Sequence, residues 1–175
     1  VAGAMLLSAL TMANAEPVKV GFVYVGPVGD HGWTYRHDIG RQQVEEAFGD
    51  KVKTSYVESV KYGPDAERVI RMLAETNDIV FATSFGYMEP MLKVAKEFPN
   101  VYFEHATGYK QADNMSSYGL RLYQARHVQG IIAGMMTKTN KICYVAAYPI
   151  PEVIREINTY YMGAKKMNPN VDIDI

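Results

Sequence analysis

Short apolar runs alternate with stretches of helical periodicity along almost the whole chain, and few folds accept that pattern. The runs fall at residues 18–25, 51–57, 78–83, 101–104, 116–120, 141–147 and 171–175. Several, such as VKVGFVYV and DIVFAT, carry apolar residues on both faces. A strand of that kind needs cover on both sides, which is the position of a strand in a parallel sheet clothed by helices. Helical spacing is read at 33–48, 64–76, 88–98, 123–137 and 151–167. In the first of these, Ile39, Val44, Ala47 and Phe48 would form the apolar face. Right-handed crossovers between such units predict an α/β fold with doubly wound parallel sheets. Ligands of such sheets sit beyond the C-terminal strand ends, so the loops at 26–33, 84–89, 104–110 and 148–151 are the places to look.

The N-terminal 15 residues stand apart. Val1 to Ala15 carries no charge and closes on Ala13-Asn14-Ala15, directly before Glu16 and a fresh strand. This reads as the tail of a secretory signal peptide with its cleavage site, which predicts a periplasmic mature protein. The run is too short to span a bilayer. The sequence shows no initiator Met or basic leader and stops at Ile175 inside an apolar run. We therefore expect a longer protein.

Composition removes several classes. A net charge of −1 offers no bulk electrostatic basis for binding nucleic acid or a membrane surface. The single cysteine, Cys143, excludes an internal disulfide and reads as a buried strand residue. It does not follow the cleavage site, so no lipid anchor is available there. The four histidines, His31, His37, His105 and His127, lack metal-ligand spacing. No metal or cofactor is expected.

The first loop, Gly26-Pro27-Val28-Gly29-Asp30-His31-Gly32-Trp33, is neither a Walker A motif nor a dinucleotide fingerprint. Asp30 would repel a pyrophosphate and suits a ligand with N–H donors. Trp33 would offer a stacking face. The same residues are equally read as a helix cap at Asp30 and a core Trp33. In the second loop, Phe85, Gly86 and Tyr87 place two aromatics around a glycine, again suiting a flat ligand, or Phe85 folds onto the sheet. Glu104 and His105 could form an acid–base pair, but a histidine in a polar loop more often only hydrogen-bonds. Tyr148 would point near any cleft.

Together, VKVGFVYVGPVGDHGWTYRHDIGR, FATSFGYMEPMLKVAKEFPNVYFEHATGY and GIIAGMMTKTNKICYVAAYPIPEVIREIN resemble the basic membrane protein (BMP) family. These are substrate-binding proteins of ABC importers, a group that includes purine-nucleoside receptors. The resemblance implies a bilobal type I periplasmic-binding fold that closes around one ligand. It implies a purine base or nucleoside, held by aromatic rings and by carboxylates that read the base edge. Asp30 and Trp33 match the family's first binding loop, and Phe85, Gly86 and Tyr87 the second. Thr34 stands where the family carries Asn, and the lipid-attachment cysteine of many members is missing.

Residues 16–121 are therefore expected to form the first lobe and 122–175 the start of the second. The expected function is a monomeric, non-enzymatic receptor that docks on an ABC permease at the plasma membrane. Asp30, His31, Trp33, Phe85, Gly86, Tyr87 and Tyr148 are its expected ligand-binding residues. The alternatives are a secreted nucleoside hydrolase on the same fold, or a receptor for a membrane signalling sensor.

Overall fold

A computed structural model describes residues 16–175, and the signal-peptide reading of residues 1–15 lies outside the described residues. Five parallel strands, β1 (Val18–Val23), β2 (Val52–Val57), β3 (Ile79–Ala82), β4 (Tyr102–Ala106) and β5 (Met115–Tyr118), form one sheet in the order β2-β1-β3-β4-β5. Val20 is paired with Thr54 on one side and Ile79 on the other, so β1 is central. From β1 the chain first runs to the β2 edge, then crosses back to β3 and continues outward. The sheet therefore has its switch point between the C-terminal ends of β1 and β3.

Helices α1 (Trp33–Phe48), α2 (Pro64–Ala74) and α3 (Met88–Glu97) connect these strands. Pro64 opens α2 at a position where its missing N–H costs nothing. The faces of α2 and α3 supply the main core: Val69, Ile70, Leu73, Met91 and Val94 pack on Val23, Val80 and Phe103. Such side chains contribute roughly 1.5–3 kcal/mol each when fully buried.

Helix α1 departs from the expected apolar face. Its buried residues are Thr34 and Asp38, while Ala47 and Phe48 are exposed. A polar helix face can be buried only if its groups are satisfied. Asp38 accepts hydrogen bonds from Arg41 Nε (2.7 Å), Gln42 Nε2 (2.7 Å) and the Tyr24 hydroxyl (3.3 Å). Arg41 also reaches Glu45 and the Thr54 hydroxyl on β2. An ion-pair and hydroxyl network thus does the docking that an apolar stripe does for α2 and α3.

Beyond the sheet, α4 (Leu122–Met136) leads to β6 (Lys141–Cys143), α5 (Pro151–Met167) and β7 (Asp172–Asp174), with β6 and β7 paired in parallel. Cys143, expected to be buried, is exposed. The strand ends at Cys143 rather than at Ala147, and its period-2 alternation puts Lys141 and Cys143 on an open face with Ile142 on the other.

Helices α4 and α5 meet backbone to backbone. A Cβ on Gly130 would lie 2.0 Å from the Tyr160 carbonyl oxygen, one on Gly134 2.5 Å from that of Ala164, and one on Gly163 2.2 Å from that of His127. Only glycine permits this approach. Gly130→Ala must push the helices apart, and the loss of stability expected from such overpacking is about 1–3 kcal/mol. Denaturant unfolding of the variant beside Gly40→Ala, where an added Cβ meets nothing within 4 Å, checks this.

Candidate ligand-binding site

The loop after β1 crosses the switch point and is fixed by polar pegs. The Gly26 amide donates to the Thr34 hydroxyl at 3.1 Å, tying the loop to the first turn of α1. Asp30 accepts from the amides of Gly32 (2.7 Å), Thr34 (3.2 Å) and Tyr35 (3.0 Å). Slight desolvation opposes ionisation, but these N–H donors prevail and hold its carboxyl below the usual range. Asp30 therefore serves as the α1 cap, supplying acceptors to the otherwise orphan N–H groups of the first turn.

Trp33, at the head of α1, is anchored by its indole N–H, which donates to the Thr83 carbonyl at 2.5 Å. Thr83 is itself buried, and its hydroxyl donates to the Val23 carbonyl at 3.0 Å. One ring thereby links the loops after β1 and β3 across the switch point. Trp33 stays 37% exposed and lines the crevice.

After β3 the chain makes a 3-10 turn at Phe85–Tyr87. Phe85 and Gly86 stay at the surface of the crevice. Tyr87, expected on its wall, is fully buried in the core, with its hydroxyl donating to the Val60 carbonyl at 2.6 Å. The turn rotates the second aromatic inward, where Tyr62 packs edge-on against it at 5.4 Å. Tyr62 also shares a hydrogen bond with the Ser84 hydroxyl at 2.8 Å. Its ring lies against Gly86, where a Cβ would come within 2.5 Å of it.

These loops and the α4–α5 pair enclose a cavity of about 520 Å³. Trp33, Phe85, Gly86 and Tyr148 line it, as do Val25, Gly26, Tyr62, Leu122, Ile150 and Val153. Polar groups reach it from Ser84, Thr107, Arg126, Glu152 and Glu156. Asp30, His31 and Tyr87 are not among the lining residues. His31 adopts a left-handed φ of 53° and packs on Tyr35. Sequence reasoning had missed Tyr62, Arg126, Glu152 and Glu156. The Pro-Ile-Pro-Glu start of α5 was visible, but nothing local told which way its carboxylate faces.

The polar groups of the cavity differ in state. Glu156 is buried and accepts from Arg126 Nε at 2.9 Å, while another Arg126 nitrogen donates to Gln129 at 2.9 Å. Glu152 has no hydrogen-bond or ion-pair partner among the described residues. Burial, and then the neighbouring Glu156 carboxylate, push its pKa up, with Arg155 opposing.

His105, at the end of β4, supports the floor. It is fully buried, and its Nε2–H donates to the Ser84 carbonyl at 2.8 Å. That bond fixes the tautomer, leaving Nδ1 as an acceptor with no partner. Gly108 lies directly over that nitrogen. His105 is thus a support for the Ser84–Phe85 loop, and the acid–base reading with Glu104 falls away, since Glu104 instead accepts from the Ser116 hydroxyl.

The sequence profile described as ABC transporter substrate-binding protein, PnrA-like, matches residues 17–175. A purine-binding protein of Brucella abortus is 52% identical over the whole chain, which spans 50% of that protein. A Haloferax volcanii protein named as an ABC transporter glucose-binding protein is 43% identical over 93% of this chain and 41% of its own length. An ABC transporter solute-binding protein from Aeropyrum pernix superposes with a TM-score of 0.79 at 22% identity, covering 90% of this chain and 46% of that one. The chain therefore belongs to the Bmp family of ABC transporter substrate-binding proteins. It spans about half the length of the curated relatives it matches.

Two expectations follow. Asp30→Ala should lower stability by about 1 kcal/mol, the cost of losing a cap, in denaturant unfolding. Burial lowers the His105 pKa, against the hydrogen bond to Ser84, and burial also lowers that of His37. Below about pH 6.5 the unfolded chain takes up these protons before the folded one, so stability should fall as the pH drops from there. NMR titration should find the His105 ring still neutral at pH 6.5. A ring that protonates at or above that pH contradicts the burial argument.

Proposed function

We propose that the protein is a periplasmic receptor that delivers a purine base or nucleoside to an ABC permease. In this reading, residues 16–121 form one lobe, 122–175 begin the other, and the cavity between them is the ligand site. The observation that carries it is the cavity itself: a crevice at the sheet's switch point, with Trp33 and Phe85 on its walls and few polar groups around them. Such a slot suits a flat heteroaromatic ring, because stacking recovers apolar area while a small polar set fixes orientation. The name of the Brucella abortus relative agrees.

The name of the Haloferax volcanii relative points to a hexose instead. A hexose presents hydroxyls all round its ring, and each needs a partner when buried. The mainly apolar wall favours the purine. A hydrolase reading is weaker, because glycosidic hydrolysis needs carboxylates on both sides of the bond. The lining carboxylates Glu152 and Glu156 both come from one face of α5, and Arg126 engages the second. The receptor reading involves no catalysis.

Thermal-shift screening of the full-length protein against bases, nucleosides, sugars and amino acids tests this, because bound ligand raises Tm by mass action. A shift confined to purines and their nucleosides is expected. A shift with sugars alone would overturn the ligand class, and free base released from inosine would overturn the non-enzymatic reading. Trp33→Ala should weaken purine binding about tenfold or more by calorimetry.

A further inference from the structure

We propose that Glu152, at the start of α5, is the specificity-determining residue of this cavity and accepts a hydrogen bond from an exocyclic amino group of the purine. The inference rests on the purine-receptor reading and deepens it.

The cavity's charged groups are Arg126, Glu152 and Glu156. Arg126 and Glu156 satisfy each other through the 2.9 Å bond, and Gln129 takes a further Arg126 nitrogen. Both are thereby already engaged by protein partners. The guanidinium of Arg155, the cation next along the helix, lies 5.0 Å from the centroid of the Tyr123 ring. Glu152 is the remaining charge, half-buried on the cavity wall and without a partner among the described residues. A carboxylate is acceptor-only, so its natural complement is an N–H donor. Closing a ligand over it without such a donor strands a desolvated charge, which costs more than the bond itself returns.

The same arrangement discriminates against other ligands. A phosphorylated purine would bring an anion into a cavity whose arginine is already paired and whose free charge is negative. A purine without an amino group takes that exocyclic donor away from Glu152. Ser84 and Thr107, the lining hydroxyl residues at the ends of β3 and β4, can both donate and accept. They adapt to either kind of edge and so carry less selectivity.

The test is a cycle on the full-length protein by calorimetry. Adenine is compared with unsubstituted purine, and guanine with hypoxanthine, each pair differing by one amino group. Wild type, Glu152→Gln and Glu152→Ala are measured, with melting curves to confirm folding. In wild type, losing the amino group should cost about tenfold or more in affinity for at least one pair. In Glu152→Ala that penalty should shrink to near unity, because either partner's removal abolishes the same bond. The folded variants retaining the full amino-group penalty, or a wild type that binds the members of each pair equally, would overturn the role of Glu152 while the purine-receptor reading stands. A wild type that binds none of the four bases and none of their nucleosides would overturn both.

Discussion

The structure depends on the divergence of the chain at β1. Because β1 leads to the β2 edge while β3 continues on its other side, the loops leaving the two strands run apart, and no crossover covers the gap. A crevice is therefore a product of topology before any side chain is chosen. What the sequence adds is a means of keeping two divergent loops in register. The Trp33 indole donates to the Thr83 carbonyl, and the Thr83 hydroxyl donates to the Val23 carbonyl. Three short bonds, counting the Gly26–Thr34 peg, turn an open gap into a shaped wall. Polar pegs suit this better than apolar packing, because they fix direction as well as distance.

The division of labour between the sheet's faces follows from that. On the α2–α3 side the core is apolar and close-packed, and its periodicity is plain in the sequence. On the α1 side, docking runs through Asp38, Arg41 and Thr54. Helix α1 begins in the crevice loop, so a polar face there keeps its first turn in a defined orientation. Burying an ion pair gains little stability over an apolar substitute. It does tie α1 to Tyr24 and to Thr54 of β2 at directed contacts, while Trp33 has its own anchor at the Thr83 carbonyl.

Much of the fold was legible, because apolar strands and helical spacing are local signals. The helices at 33–48 and 151–167 begin and end where the periodicity places them. The apolar face of α1 differs from the expectation because Ala47 and Phe48 satisfy a spacing rule while the buried positions carry Thr34 and Asp38, whose partners include Gly26 and Tyr24 just beyond β1. The site was only partly legible. Trp33, Phe85, Gly86 and Tyr148 reach the cavity; Asp30, His31 and Tyr87 do not line it. Asp30 is used by nearby amides, and that reading stood beside the ligand reading in the sequence. Tyr87 closes a 3-10 turn that carries the second aromatic inward, which no local spacing rule announces. The carboxylates of α5 were missed because they are brought to Trp33 by tertiary packing alone.

That packing places an unusual demand on glycine. Gly130, Gly134 and Gly163 allow α4 and α5 to touch through their backbones. Side chains of normal size would separate the helices and carry the start of α5, with Glu152, away from the aromatic wall. The glycines thus act on the cavity at a distance, by setting how near one wall stands to the other. The same logic recurs on a smaller scale at Gly86, which admits the Tyr62 ring, and at Gly108, which closes over His105. In each case an absent side chain fixes the position of a present one. A reading that weighs only side chains with chemistry would overlook the residues that decide the width of the slot. Width matters most for a flat ligand, because dispersion falls away within a fraction of an ångström once the two faces part.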